Sequence, residues 1–414
     1  FGEGYSITGT MRVWGWALVL LAVGAAGGRN DAQCDSHCPV YPTEQAMRRF
    51  REIVESSYSG QEEAVTVIRK ALQENMLSYG EAKTSEARGK MSPLLLHFTG
   101  PTGVGKTLLT ALIKDALFIS DCGVKKVHLD IGYRLTDNTE RIQKIDNMKK
   151  AVVHQLERCP RSLVIFDDFQ WAPVEMILAL KEAFDESYQT MTWRDKTVRT
   201  TEAIFIFCSD LESEQRHLSV DMTMKQAQKK VAELAGFQWN MVDQASAFGK
   251  LFVSAGLIPF VPLSASELTK VIDMEVRKLG PRVDRYLSFH ADNSSVTHDW
   301  IGEVRWNNKL LAPAILRLLG EDLHEYNARA VRNLIERQLL GHSTEISKCL
   351  LRLSSRTRMR GWIWGGYVTL LDDIKITDVD PAQSFTVDID GKPCINKGQL
   401  VLTTRQGHRA SEEL

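Results

Sequence analysis

Short apolar runs alternate with amphipathic segments through the first half of the chain. Buried strands are predicted by "PLLLHFTG", which ends at Gly100, and by runs at 125–131, 161–169 and 202–210. Apolar residues recur at helical spacing before and between these runs, in segments 44–58, 59–77, 106–118, 141–159 and 174–187. This alternation predicts an α/β fold with a parallel sheet that helices cover on both faces.

The pattern changes after the fourth strand. From about residue 226 to 340 it is mainly helical, with one helix over 264–280 that Ser264 or Ser266 opens and another over 321–340. A further short helix is predicted after Gly341, and then strands in "GGYVTLLDDIKITDV", "SFTVDID" and "GQLVLTT", with a hairpin turn at 388–393. The predicted divisions are a leader (1–28, with extra residues before Met11), a linker (29–44), a large α/β domain (45–262), a small C-terminal domain (263–405) and a tail (406–414).

The N-terminal pattern points to the secretory pathway. Met11-Arg12 precedes an apolar run of about 16 residues that ends in small residues, the layout of a signal peptide, and a spanning helix needs roughly 20. A buried helix or a membrane anchor stays open as the alternative. Asn293 begins a glycosylation sequon, and the chain ends in "SEEL", close to a retention signal. We therefore expect residence in the lumen of the endoplasmic reticulum.

The cysteine positions and the net charge argue against two kinds of site. Seven cysteines show no repeated metal-ligand spacing, which argues against a zinc site. Cys34 and Cys38 are candidates for a disulfide in an oxidising lumen, or for two exposed thiols on a tail. The formal net charge of −1 argues against a strongly basic nucleic-acid binder, so no nucleic-acid partner is expected.

A phosphate-binding motif follows the first predicted strand. It runs Gly100-Pro101-Thr102-Gly103-Val104-Gly105-Lys106-Thr107 and matches G-x-x-x-x-G-K-[ST] in full, between a strand and a helix. The glycines let backbone N–H groups curl around phosphate oxygens, and the helix N-terminus adds partial positive charge. Lys106 is predicted to reach the β- and γ-phosphates, and the Thr107 hydroxyl to bind Mg²⁺. The cofactors implied are ATP and Mg²⁺.

Two carboxylates end the strand in "LVIFDD". Ligands of doubly wound sheets bind at the carboxyl ends of the strands, where Asp167 and Asp168 are expected. Asp167 would hold Mg²⁺ through water, and Asp168 stands where a base would orient the attacking water. The alternative is a pair of acids that caps the next helix.

Taken together, "GPTGVGKT", "LVIFDDF", "IFIFCSD", "LIPFVPL" and "NARAVRNLIE" resemble the Clp/Hsp100 branch of the AAA+ ATPases over about residues 48–340. Within that branch the chain looks most like the torsins, which have similar strand and "PFLPL" segments and an ER-directing leader. The phosphate loop itself and the strand-rich tail at 365–403 are more similar to Clp proteins. The resemblance implies an ATPase that acts on protein or membrane-protein assemblies as a homo- or hetero-oligomer.

Several positions depart from the family pattern. Clp proteins and torsins usually carry Glu at the position of Asp168 and Asn at that of Asp210, where an ionised carboxylate would repel phosphate. Arg329 matches the Clp sensor arginine, where torsins carry Lys; it is alternatively a solvated helix residue. Phe252 and Val253 stand where Clp proteins place an arginine finger.

The departures imply a weak ATPase. An arginine supplied in trans is worth about 10³–10⁵ in rate in nucleotide hydrolases, and torsins take theirs from a membrane-anchored activator. Three hypotheses remain open from the sequence: a slow ATPase that depends on a partner, a nucleotide-binding scaffold that no longer hydrolyses ATP, and a cytosolic Clp-type unfoldase whose leader is an artefact of the gene model.

Overall fold

The computed structural model describes residues 38–129, 137–185, 187–210, 218–238, 256–291, 297–300, 304–354, 367–370, 374–379, 385–389 and 392–393. The predicted leader, most of the linker, the segment around Phe252, the sequon at Asn293, the "GQLVLTT" strand and the tail lie outside these ranges. Within the described ranges, no helix is both long enough and apolar enough to cross a membrane.

The first part of the chain forms the parallel sheet that the apolar runs predicted. Its strands are β1 (Leu94–Thr99), β2 (Val124–His128), β3 (Leu163–Asp167), β6 (Ile204–Ser209) and β7 (Leu257–Pro259), in the order β2-β3-β6-β1-β7, and all neighbours are parallel. A separate antiparallel hairpin joins β4 (Thr190–Trp193) to β5 (Lys196–Arg199). The hairpin and β7 were not predicted, because three or four residues are too few to establish a period.

Helices cover the sheet on both faces. They are α1 (Thr43–Ser57), α2 (Glu62–Glu81), α3 (Ser85–Arg88), α4 (Lys106–Leu117), α5 (Asn138–Arg158), α6 (Val174–Phe184) and α7 (Met224–Gln238). Side chains alternate across β6: Phe205 and Phe207 join the core shared with α5, α6 and α7, whereas Ile204 and Ile206 join the core shared with α1, α2 and α4. The central strands β3 and β6 are therefore almost entirely apolar, because both of their faces are buried.

A third hydrophobic cluster forms from the C-terminal helices. They are α8 (Ala265–Arg277), α9 (Leu279–Ala291), α10 (Asn308–Leu319), α11 (Asp322–Tyr326), α12 (Ala328–Gln338) and α13 (Ser343–Ser354). Helix α8 begins after Ser264, which forms a capping box with Glu267, so of the two candidate serines Ser264 is the cap. The cluster starts at Leu263 and reaches Ile376, but the domain boundaries proposed from the sequence stay predictions.

Short strands complete this C-terminal part. They are β8 (Thr297–Trp300), β9 (Val304–Trp306), β10 (Tyr367–Leu370), β11 (Ile374–Val379), β12 (Phe385–Ile389) and β13 (Lys392–Pro393). One sheet has the order β13-β12-β11-β9, and β10 pairs with β8. The predicted hairpin at 388–393 is present, with Ile389 opposite Lys392. Strands β8 and β9 interrupt the region predicted to be mainly helical.

The single helix predicted over 321–340 is wrong. Asn327 separates α11 from α12 with φ 46° and ψ −129°, a conformation that a helix cannot contain. The buried Asn327 side chain bonds to groups more than sixty residues away in sequence. Tertiary contacts thus override a local pattern that is helical on both sides of this residue.

The cysteine pairing also differs from the one considered from the sequence. Cys38 forms a disulfide with Cys159, across a sequence separation of 121, and not with Cys34. Cys122 and Cys349 are disulfide-bonded as well, whereas Cys208 is free and buried. The Cys38–Cys159 bond ties the segment before α1 to the end of α5, next to the start of β3.

Removal of this bond should destabilise the fold. In a Cys38→Ala/Cys159→Ala variant we expect a loss of about 2–5 kcal/mol in the free energy of unfolding, because a long loop is no longer closed in the unfolded chain. Urea unfolding under non-reducing conditions measures this loss. Cys208→Ala, which removes a buried but free cysteine, is the control, and a double variant as stable as this control would contradict the expectation.

Candidate nucleotide-binding site

The phosphate loop connects the end of β1 to the start of α4. Gly100 and Gly103 have φ values of 151° and 77°, in the region that favours glycine. A Cβ atom at Gly100 would overlap the carbonyl oxygen of Phe260, and one at Gly103 would overlap that of Tyr326. Glycine is therefore required at both positions for space as well as for backbone conformation. Helix α4 begins at Lys106, so its first N–H groups border the loop.

The Lys106 ammonium group is buried beside this loop. Its Nζ donates hydrogen bonds to the carbonyl oxygens of Gly100 (2.8 Å) and Pro101 (2.6 Å). It also forms an ion pair with Asp210 Oδ1 at 2.5 Å. The backbone N–H of Asp210 donates to Gln170 Oε1 at 3.0 Å, which anchors this residue just beyond the end of β6. The structure therefore brings together Lys106 and Asp210, which the sequence placed at the same phosphate.

Thr107 and Asp167 also meet at the carboxyl edge of the sheet. The Thr107 hydroxyl donates to Asp167 Oδ1 at 3.3 Å, while Lys126 Nζ lies 2.6 Å from Asp167 Oδ2. A hydroxyl and a carboxylate on adjacent elements are a suitable pair of oxygen donors for Mg²⁺. Lys126 was not predicted as a site residue, because nothing in the sequence of β2 distinguishes it from a solvent-facing lysine.

Asp168 has an unusual backbone and two side-chain neighbours. Its φ is 57°, and it begins the tight turn at Phe169–Trp171. Oδ1 accepts a hydrogen bond from Gln170 Nε2 at 3.3 Å, and Oδ2 lies 3.4 Å from His128 Nδ1. Ligand atoms of His128, Asp167 and Asp168 all lie within 4.8 Å of one another, so this edge can also hold a divalent cation. Sequence reasoning missed His128, although the parallel register sets it opposite Asp167.

The C-terminal part of the chain contacts the phosphate loop directly. Asn327 Nδ2 donates to the Thr102 carbonyl at 3.3 Å, and Asn327 Oδ1 accepts from the Leu263 backbone N–H at 3.4 Å. The Cβ of Arg329 lies 3.2 Å from the position that a Cβ would take at Gly103. The Cβ of Arg329 is thus next to the loop, and the sensor role of this residue stays a prediction. Asn327 was missed, since its role depends on a backbone conformation that the sequence does not reveal.

A segment before α2 packs against the other side of the loop. The Gln61 side chain makes two hydrogen bonds to the backbone of Val261, at 2.6 and 3.1 Å. Tyr58 is buried, and its hydroxyl lies 2.8 Å from the position that a Cβ would take at Gly105. Burial, with a smaller contribution from the nearby Glu267, raises the pKa of Tyr58, so the phenol is neutral at physiological pH.

These residues fit ATP and Mg²⁺. The loop has glycines where a side chain would collide, a helix N-terminus and a buried lysine, which together suit a polyphosphate. Thr107 and Asp167 supply the hard oxygen ligands that Mg²⁺ prefers. The set of residues is therefore appropriate for a nucleotide triphosphate with its metal ion.

Comparison with known proteins is consistent with this site. No family model matches the chain. It is 25% identical over 269 residues to the chaperone protein ClpB of Chlamydia caviae, which covers 62% of this chain and 27% of that chaperone. It is 24% identical over 337 residues to ClpB of Chlamydia muridarum, a match that covers 72% of this chain and 34% of that chaperone. It is 22% identical over 290 residues to ClpB 1 of Parasynechococcus marenigrum, a match that covers 66% of this chain and 30% of that chaperone.

The chain is a distant homologue of the ClpB chaperones. This distant homology agrees with the resemblance of the motifs to the Clp/Hsp100 branch of the AAA+ proteins, and the parallel sheet flanked by helices is consistent with an AAA+ domain. The matched regions span about a third of the length of these chaperones or less. The finer resemblance to torsins has no support in these comparisons.

A side chain at Gly103 should disrupt the site. In Gly103→Ala the new methyl group would overlap the Tyr326 carbonyl, and a φ of 77° is strained for alanine. We expect nucleotide affinity to fall about tenfold or more, since a displacement of about 1 Å in a binding site has effects of that size. Isothermal titration with ADP measures it.

Gly80→Ala is the matched control for this substitution. Gly80 lies in the last turn of α2, where Thr43 Oγ1, at 3.8 Å, is the one atom from elsewhere in the described part of the chain that would approach a new Cβ atom. Alanine there should leave affinity unchanged and stabilise the helix by about 1 kcal/mol. Equal ADP affinities for the two variants would contradict the close approach at Gly103.

Proposed function

We propose that this chain is a chaperone-type AAA+ ATPase related to Clp proteins. It binds ATP with Mg²⁺ at the loop 100–107 and couples slow hydrolysis to the remodelling of protein assemblies, as an oligomer. The observation that carries this proposal is the contact between Thr107 and Asp167, which joins an intact phosphate loop to the acidic end of β3. The distant homology to ClpB supports the same class of activity.

Each residue of the site has a role in this proposal. The N–H groups of the loop and of the first turn of α4 bind phosphate oxygens, and Lys106 binds the terminal phosphates. Thr107 and Asp167 hold Mg²⁺, which neutralises charge on the phosphates when bound. Asp168 orients the attacking water. Arg329, beside Gly103, links the phosphate loop to the C-terminal helices.

Slow hydrolysis is supported by the surroundings of Asp168. Its carboxylate already interacts with Gln170 and His128, and it is one methylene shorter than the Glu that the family resemblance leads us to expect. A misplacement of about 1 Å of a group that orients a reactant can lower the rate about a hundredfold. The position of Asp168 therefore favours a weak enzyme over an efficient one.

The proposal is tested first by nucleotide binding and turnover of the purified chain. We expect measurable ATP binding and slow phosphate release, and in Lys106→Ala an affinity at least about tenfold lower with no detectable turnover, because the lysine holds the terminal phosphates. Lys114→Ala is the matched control, since Lys114 is on the same helix but pairs with Asp121 away from the loop. Equal ATP binding by parent and Lys106→Ala would contradict the proposal.

The same turnover assay tests whether the short side chain of Asp168 limits the rate of hydrolysis. Asp168→Glu restores the missing methylene, and we expect its turnover to rise by about tenfold or more with little change in ATP affinity. Turnover that stays at the parent's level, or falls, would show that the length of this side chain does not limit hydrolysis.

A second candidate function is an ATPase of the endoplasmic reticulum lumen, torsin-like, that takes an arginine from a membrane-anchored activator. The disulfide between Cys38 and Cys159 favours it, together with the disulfide-bonded Cys122 and Cys349, because such bonds persist in oxidising compartments. Expression of the full chain in eukaryotic cells tests the compartment. We expect a glycan at Asn293 that endoglycosidase removes and Asn293→Gln abolishes; an unglycosylated chain with reduced cysteines would overturn the assignment.

A further inference from the structure

The hydrogen-bonding capacity of Lys106 is fully used. An ammonium group has three N–H donors, and its three acceptors here are the carbonyls of Gly100 and Pro101 and the carboxylate of Asp210. The Lys106 side chain is 6% exposed and that of Asp210 is 34% exposed, so the ion pair is buried at the ammonium group and partly open to solvent at the carboxylate. A phosphate that binds to this nitrogen has to displace one of the three acceptors.

Neighbouring residues hold Asp210 in this position. Its backbone N–H donates to Gln170, whose own amide donates to Asp168, so the residue is fixed relative to the acidic end of β3. The strand before it, β6, lies between β1 and β3, which puts the carboxylate directly beside the phosphate loop. The carboxylate is the negatively charged acceptor of the three and the one provided by a side chain.

We propose that Asp210 makes this site select a nucleoside diphosphate over a triphosphate, because its carboxylate pairs with Lys106 in place of the terminal phosphate. The inference rests on the proposed nucleotide-binding function and specifies its ligand preference. The backbone N–H groups of a phosphate loop cradle the inner phosphates, and its lysine reaches both the β- and the γ-phosphate. A diphosphate has no γ-phosphate, so its β-phosphate can displace a loop carbonyl from Lys106 while the Lys106–Asp210 pair stays intact.

A triphosphate meets two obstacles. Its terminal phosphate competes with Asp210 for the same ammonium group, and breaking this partly buried ion pair is unfavourable because the carboxylate loses its partner. Once displaced, the carboxylate is a negative charge next to another anion, which Coulomb repulsion opposes. Both effects arise from the γ-phosphate, which the diphosphate lacks, so they lower the affinity for the triphosphate relative to that for the diphosphate.

The test is isothermal titration of the full chain with ADP and with the non-hydrolysable triphosphate AMPPNP, each in excess Mg²⁺. For the parent we expect ADP to bind about tenfold or more tightly than AMPPNP. Asp210→Asn keeps the shape of the side chain but removes its charge. In this variant we expect the ratio of the two dissociation constants to approach one, mainly because AMPPNP binds more tightly.

The matched control is Asp121→Asn, which removes the same charge from an exposed ion pair with Lys114 and should leave the ratio as in the parent. The ratio is measured within one preparation, so a partly inactive sample does not alter it. Equal affinities of the parent for both nucleotides, or an Asp210→Asn ratio that equals the parent's, would overturn the selection while nucleotide binding stands. Binding of neither nucleotide by the parent would overturn the proposed function, and this inference with it.

Discussion

The parallel pairing of β1, β3 and β6 is the constraint on which the site depends. Parallel strands end at one edge of a sheet, and the register sets Thr99 of β1 opposite Ser209 of β6. A buried hydrogen bond of 2.7 Å between the side chains of His97 and Ser209 also links β1 to β6. The residues that follow these strands, in the phosphate loop and at Asp210, must therefore lie side by side. With β3 on the far side of β6, Asp167 arrives at the same edge.

The local pattern of the sequence was enough to predict four of the five strands of the sheet, its main covering helices and the phosphate loop, because buried strands and amphipathic helices have short periods. The same local pattern could not predict the long-range contacts that complete the site. Lys106 meets Asp210, and Asn327 meets Thr102, across separations that no periodicity describes. The break at Asn327 and the Cys38–Cys159 bond have the same origin, since both are decided by what lies nearby in the folded chain.

Gly103 joins the nucleotide site to the C-terminal helices. Its lack of a side chain gives the loop the φ value that a phosphate cradle needs, and it also admits the carbonyl oxygen of Tyr326 and the first turn of α12. Asn327 then bonds the loop to the backbone at Leu263, just before α8. The phosphate loop and the C-terminal helices are therefore in direct contact, through Asn327 and the backbone at Tyr326.

The charges at the site explain why nucleotide binding involves an exchange of partners. The two lysines described there are each paired with a carboxylate: Lys106 with Asp210 and Lys126 with Asp167. A bound Mg²⁺ ion would take Asp167 from Lys126, and a terminal phosphate would take Lys106 from Asp210. The net binding energy is then the difference between new and old ion pairs and not the full strength of the new ones. Lys126 is about half exposed, so water can solvate its ammonium group once Mg²⁺ binds Asp167. The exchange at Asp210 leaves a carboxylate beside the phosphate instead, and this asymmetry makes Asp210 the residue that opposes the third phosphate.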